Sequence, residues 1–357
     1  MLNNTDRKNQ LLLIKEFIDN SDNFWNDHNI SNLDLKHKKI LKNFSHRYKK
    51  NIKLFSDEII DWESQSNLGA PFQLSFKKMK YSSFRQFLRN FKNIFIQNYF
   101  NKISFFDDLE IIKKNKGLNI IKDSPVHLSL GSTDLFFIEK NVSSNNRWNR
   151  YIYIASQIRN RKLLSHKAKN WLDIGSFYGG LQIILKKYYK DQNFYLLDFN
   201  HQLCRSYVLL KKLYPNSNHI LPNQIGKVIK NKNNFYYIPV QNLKDIENIK
   251  FDLVTNFFSF GEMSRPFFNY YFKNKFINNS KTLYFINRIV SSPWFEPTYK
   301  NDLNIFDYEN KNFKTIFFDI FPIHHYKNIK RKLFGKISYR PISSPFFEKI
   351  MLKKNNF

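Results

Sequence analysis

The run from Asn170 to Asn200, NWLDIGSFYGGLQIILKKYYKDQNFYLLDFN, restricts the fold of this chain more than any other segment. Trp171 to Ile174 is a short apolar run that predicts a strand. Gly175, Gly179 and Gly180 interrupt it, and Leu181, Ile184, Leu185 and Tyr188 then recur at helical spacing. Asn193 to Leu197 is a second apolar run, closed by Asp198. Glycines at such a turn let the backbone approach a ligand closely. The helix N-terminus faces the same place, and an acid about 20 residues on can hold ribose hydroxyls. The pattern points to a nucleoside-type site at the carboxyl ends of parallel strands. The alternative is a β-α-β unit whose glycines serve tight packing alone.

The dinucleotide fingerprint G-x-G-x-x-G would place glycines at 175, 177 and 180, but position 177 is Phe. Asp173, two residues before the first glycine, is not part of that fingerprint either. Asp-x-Gly followed by a glycine pair resembles the first motif of Rossmann-type S-adenosylmethionine-dependent methyltransferases. The resemblance implies that Asp173, Gly175, Ser176, Gly179 and Gly180 hold the amino acid end of that cofactor, and that Asp198 holds its ribose. It also implies adenine recognition by Gln241 and Asn242, and a place for Asn256 at the methionine end. Phe177 stands where such loops often carry glycine.

Further segments narrow the resemblance. FDLVTN (251–256) is another strand-like run, followed by FFSFGEMSRPFFNYYF and then by TLYFINR. Asp198 is followed by LCRSYVLLKKLYPNSN, a helix ending in a Tyr-Pro-Asn step. The block from about 147 to 353 resembles the sugar O-methyltransferases of bacterial glycan clusters. That resemblance implies a sugar or glycan acceptor, free, nucleotide-linked or lipid-linked, in surface polysaccharide biosynthesis. An RNA acceptor is the alternative that the charge prompts, and a binding protein without turnover is a third. RNA methyltransferases of this fold that modify exocyclic amines often carry Asn/Asp-Pro-Pro-Tyr after the fourth strand, where this chain has Asn256-Phe-Phe-Ser259.

Methyl transfer from a sulfonium is a direct displacement, so the protein mainly aligns nucleophile, methyl carbon and sulfur. A sugar hydroxyl is a poor nucleophile and profits from a nearby base. Such groups belong just beyond the strand ends, where open α/β sheets bind ligands. Glu262, in the run Ser259-Phe-Gly-Glu262-Met, is the first candidate for base or acceptor-binding carboxylate, with Ser259 beside it. A carboxylate favoured by a helix dipole is the bland reading of Glu262. Arg288 ends the fifth strand and suits an acidic sugar or a diphosphate through bidentate bonds. Arg147, Arg150 and Tyr151, on an amphipathic helix with Trp148, are candidates for lining the acceptor cleft; core packing is the other reading of Trp148 and Tyr151. His201 reads as a ribose-side surface residue, and the adjacent His324 and His325 as loop residues. No metal site is expected.

From about 168 onward strand and helix alternate, with strands at 170–174, 193–198, 235–239, 251–256, 282–287, 314–320 and 346–352. This predicts a Rossmann-like α/β fold: a seven-stranded, mostly parallel sheet, helices on both faces and an antiparallel last strand. Residues 1–145 read as a mainly helical cap, with periodic stretches at Leu11–Ile18, Leu33–Leu54 and Phe84–Phe100, and 146–357 as the catalytic domain. The net charge of +29 would ordinarily suggest nucleic acid or an anionic membrane. The lysines are scattered, however, and travel with Asn, Ile, Phe and Tyr, so no specific nucleic acid is expected. Peripheral membrane association through charge stays open. A single cysteine, Cys204, excludes internal disulfides and a Cys-based zinc cage. With no apolar run long enough for secretion or a membrane span, the expected location is the cytoplasm.

Overall fold

The computed structural model describes residues 105–124, 136–139, 142–164, 169–226, 232–291, 303–323, 331–333, 336–338 and 346–354. The helical stretches expected before residue 101, and His324 and His325, lie outside the described residues. Two compact units are present, one comprising Met1–Ser56, Lys162–Phe321 and Ser344–Phe357, the other Asp57–Arg161 and Pro322–Ser343.

The smaller unit holds the helix Asn146–Asn160, the short helix Leu118–Asp123, and an antiparallel hairpin of Phe136–Glu139 with Val142–Ser144. Asn145 caps the longer helix by accepting from the Trp148 backbone N–H at 2.8 Å. Trp148 is fully buried, and its indole donates to the Ser124 carbonyl at 3.0 Å. It is a core residue of this unit.

Among its described residues, the larger unit is built on one eight-stranded sheet. Its strands are β1 (Asn170–Ile174), β2 (Asn193–Asp198), β3 (Asn218–Ile220), β4 (Asn234–Pro239), β5 (Leu253–Phe257), β6 (Thr282–Arg288), β7 (Phe313–Ile320) and β8 (Phe346–Lys353). Their order is β3-β4-β2-β1-β5-β6-β8-β7. The pairs from β3 through β6 are parallel, and β8 runs antiparallel to both of its neighbours. All seven expected strands are there. The eighth, β3, pairs only with β4 at the sheet edge. Every residue of β2, β4 and β5 is buried, as strands covered on both faces must be.

The helices that position the site are α1 (Gly180–Leu185), α2 (Asn200–Leu213), α3 (Arg265–Phe272) and α4 (Lys275–Asn279). α1 is short and wholly buried. The chain runs outward from β1 to β2 and β4, then returns to β5 on the other flank of β1. That reversal places the switch point between β1 and β5, and open α/β sheets bind ligands at the carboxyl ends there. The strand tips are level: Ile174 is in register with Leu197 on one side and with Asn256 on the other.

At the opposite end, Asp252 ties the strand starts together. Its carboxylate accepts from the Lys169 and Asn170 backbone N–H groups at 2.7 and 3.0 Å and from Lys281 Nζ at 2.6 Å. These bonds outweigh its partial burial and hold it below the usual carboxylate range. Among the described residues no helix is long and apolar enough to cross a membrane.

Candidate cofactor and acceptor site

The glycine turn is built by backbone demands. Gly175 has φ +74, and a Cβ there would lie 2.7 Å from Ser259 Cβ and closer still to its hydroxyl. Conformation and close approach therefore both require glycine at this position. Gly179 also has positive φ, at +79. A Cβ on Gly180 would meet the Tyr178 ring at 2.8 Å. Phe177 takes the same left-handed region at φ +53, which an L side chain rarely adopts. The position keeps a glycine-like backbone without a glycine. Two bonds hold it there: its N–H donates to Asp198 Oδ2 at 2.7 Å, and its carbonyl accepts from Ser206 Oγ of α2 at 2.7 Å. The Phe177 ring is half-buried, edge-on to Tyr178 at 5.0 Å.

The loop and the acid at the tip of β2 thus face each other directly. Asp198 also accepts from the Phe199 backbone N–H at 2.7 Å. It is 9% exposed, and burial pushes its carboxyl up to about 7. The two backbone bonds oppose that rise, and the nearby charge of Asp173 adds to it. Asp173 is pushed up to about 6, again by burial. Its oxygens accept from Thr255 Oγ1 on β5 and Gln182 Nε2 on α1, both at 2.6 Å. Trp171 Nε1 donates to the same Thr255 hydroxyl at 2.8 Å, so indole, hydroxyl and carboxylate form one buried chain. An ionised carboxylate accepts at about four positions. Asp198 uses two of them on backbone N–H groups.

Three further atoms test whether a polar ligand fits here. Ser176 Oγ, Gln182 Oε1 and Gln202 Oε1 are buried and have no hydrogen-bond partner among the described residues. Gln202 stands one turn before Ser206 on the α2 face that meets the loop. Buried polar atoms without partners are costly, and a ligand carrying hydroxyl and charged groups would satisfy them. The residues fit a nucleoside bearing an amino acid.

The second wall of the crevice comes from β5 and β6. Asn256 is fully buried. Its Nδ2 donates to the Ile174 carbonyl at 2.8 Å and to Ser259 Oγ, and its Oδ1 accepts from Phe260 N–H at 3.0 Å and Asn287 Nδ2 at 2.9 Å. All four positions of the amide are taken, so Asn256 locks the ends of three strands together. Phe258, at φ +70, turns the chain so that Ser259 reaches Gly175. The 3₁₀ turn Phe260–Glu262 follows, held by Gly261 N–H on Asn287 Oδ1 at 3.0 Å. Glu262 ends this turn, 42% exposed in its side chain, with its Oε1 3.6 Å from Arg288 Nη2. Base candidate and acceptor candidate therefore share one spot.

Gln241 and Asn242 lie in the 3₁₀ segment Val240–Ile246 after β4, whose last residue, Pro239, is in register with Asp198. Asn242 Nδ2 donates to Asp245 at 3.0 Å. Arg147, Arg150 and Tyr151 lie on the helix Asn146–Asn160 of the other unit. His201 is in the first turn of α2. Thr255, Gln182, Gln202 and Asn287 are site residues that the sequence did not single out. Thr255 carried a signal, since a hydroxyl inside the buried run FDLVTN needs a partner. Among the described residues no group of three or more His, Cys, Asp or Glu could hold a metal.

No protein-family model and no curated protein matches the chain. Solved structures do. M. capricolum TrmK in complex with S-adenosylhomocysteine is 14% identical, with a TM-score of 0.31 over 55% of this chain and 68% of that one. An S-adenosylmethionine-dependent methyltransferase of Clostridium acetobutylicum is 12% identical, with a TM-score of 0.35 over 58% and 91%. The magnesium protoporphyrin IX methyltransferase of Synechocystis with bound S-adenosylhomocysteine is 10% identical, with a TM-score of 0.33 over 72% and 98%.

Proposed function

We propose that this chain is an S-adenosylmethionine-dependent methyltransferase acting on a hydroxyl oxygen, with a sugar in surface polysaccharide biosynthesis as the acceptor. The observation that carries the reading is the bond from Phe177 N–H to Asp198. It draws the glycine turn onto the acid at the tip of the next strand, beside buried donors and acceptors that lack partners. S-adenosylmethionine, when bound, supplies an activated methyl group on sulfur.

The protein's own part is alignment. Asp198 accepts from ribose hydroxyls, Ser176 and Gln202 take further polar groups, and Gly175 admits the ligand close to the backbone. Asp173 is a positioning residue that ties β1, β5 and α1 together beneath the loop. Asn256 does the same for Ser259. Glu262, on the turn beyond β5, takes the proton of the acceptor hydroxyl, and Ser259 orients the turn. The sugar rests on the resemblance of the segments 171–215 and 251–288. The net charge of +29 favours RNA as the second reading.

Calorimetry with S-adenosylmethionine, S-adenosylhomocysteine and NAD side by side tests the proposal. Binding of the first two, lost on Asp198→Ala with folding retained, is the expected result. NAD binding, or undiminished binding by the variant, would overturn it. Methyl transfer to RNA but to no saccharide would select the second reading, and cofactor binding without turnover on any acceptor would leave a binding protein.

A further inference from the structure

Arg288 is placed at the end of β6 with one edge of its guanidinium without a hydrogen bond among the described residues. Its plane lies over the Phe346 ring, 5.6 Å from the centroid, and Phe346 is held edge-on to Phe258 at 5.2 Å. Gly261 backs the stem: a Cβ at 261 would lie 3.0 Å from Arg288 N and 3.1 Å from its Cγ. The side chain is 15% exposed. Nε is buried and has no hydrogen-bond partner among the described residues. Nη2 faces Glu262 Oε1 at 3.6 Å, beyond the roughly 2.7–2.9 Å of a charge-assisted bond. Nε and Nη2 form the side-on edge of the guanidinium, the edge that grips two oxygens of a carboxylate or phosphate in parallel bonds. Both donors of that edge lack a bond.

We propose that Arg288 recognises an anionic oxygen group on the acceptor, a carboxylate or phosphate near the hydroxyl that receives the methyl group. Glu262 serves as the internal carboxylate that faces the guanidinium until the acceptor arrives. This rests on the methyltransferase reading and adds a substrate class to it. The position suits the role. Ser259 abuts Gly175 of the cofactor turn and Gly261 abuts Arg288, so only the turn 259–262 separates the two. A cation desolvated to this degree with an orphaned donor is costly, and a bidentate oxyanion offsets that cost. Glu262 also becomes available to the acceptor hydroxyl once the anion has displaced it from the guanidinium.

The two residues give the test opposite signs. Wild-type protein, Arg288→Lys, Arg288→Met and Glu262→Gln are titrated with D-glucuronate, inorganic phosphate and D-glucose, each with and without saturating S-adenosylhomocysteine. Binding is read by saturation-transfer NMR for the sugars and by phosphorus line broadening for phosphate, with circular dichroism as the check on folding. Glucuronate and phosphate should bind more tightly than glucose. Arg288→Met should weaken them by about tenfold or more, the worth of one charge-assisted contact. Arg288→Lys, which keeps the charge and loses the fork, should weaken them several-fold. Glu262→Gln should strengthen them by removing the competing carboxylate.

Binding to scattered surface lysines would respond to none of these changes, and such an outcome overturns the proposal. So does equal or tighter binding of glucose, or weaker anion binding by Glu262→Gln. Failure of every variant and the wild type to bind S-adenosylhomocysteine sinks the methyltransferase reading instead, while the titrations without it still report on Arg288.

Discussion

Asp198→Asn should raise stability at high pH and change it little near pH 5. The folded protein pushes the Asp198 carboxyl from 3.8 up to about 7 by burial, so it holds that proton more tightly than the unfolded chain does. The stabilisation from this proton is fully present below pH 4 and is lost as pH rises through 7. At pH 8.5 the ionised carboxylate costs about 4 kcal/mol relative to its unfolded ionisation, at about 1.4 kcal/mol for each pH unit between the two values. Asparagine removes that cost at every pH. It introduces another, because two backbone N–H groups converge on the carboxylate, from Phe177 and Phe199. An amide offers one oxygen, so one donor is left unsatisfied at about 1–3 kcal/mol.

In the absence of ligand, the variant should therefore be more stable than wild type at pH 8.5 by about 1–3 kcal/mol and within about 1 kcal/mol of it at pH 5, where the ionisation cost has fallen to about 2 kcal/mol and offsets the unsatisfied donor. Urea unfolding monitored by circular dichroism at the two pH values measures both. Cofactor binding should be weakened in the variant at pH 8.5, where the wild-type carboxylate is ionised and free to accept from ribose hydroxyls. A variant equally destabilised at pH 5 and 8.5 would refute the reasoning, because Asp198 would then be a satisfied structural carboxylate and not a buried charge in wait of a ligand.

Gly175→Ala should lose about 2 kcal/mol or more, since φ +74 strains any L residue and the methyl group meets Ser259. Adding Ser259→Gly should recover the steric part but not the strain, which thermal unfolding of the pair resolves. Thr255→Val should cost about 1–3 kcal/mol by leaving the Trp171 indole and Asp173 without their shared hydroxyl, while Thr255→Ser stays close to wild type in urea melts with tryptophan emission as the probe. Asp252→Ala should cost about 2–4 kcal/mol at pH 7. The folded carboxyl of Asp252 is lowered, so its contribution is present above the usual carboxylate range and is lost as pH falls through the folded value. The penalty of the substitution should accordingly shrink in acid.

Six of the seven long strands were legible as largely buried apolar runs bounded by glycine, asparagine or a charge; β7 was legible from its apolar residues, although only Phe313 of it is buried. β3 was not: Asn218-His219-Ile220 is too short to show a period, and only its pairing with β4 makes it a strand. Gly175 and Asp198 were legible for a different reason, since backbone conformation and a spaced acid leave a mark in the sequence itself. Their partners leave none. Asp173 meets Thr255 only because the two are in register across parallel strands distant in sequence. Gln202 meets the loop through the packing of α2, which Ser206 reveals. Asn256 and Ser259 were found by position, yet their mutual bond depends on the positive φ of Phe258, and no residue type announces that.

β8 lies between β6 and β7, although it follows both in the chain. Until residues 346–353 have been synthesised, β7 has no neighbour to pair with, and the flank of β6 that carries Arg288 stands open. The cofactor turn and the tips of β1, β2 and β5 do not wait for it. On the ribosome the glycine turn and the acid facing it can thus assemble early, whereas the Phe346 ring against Arg288 arrives only with β8.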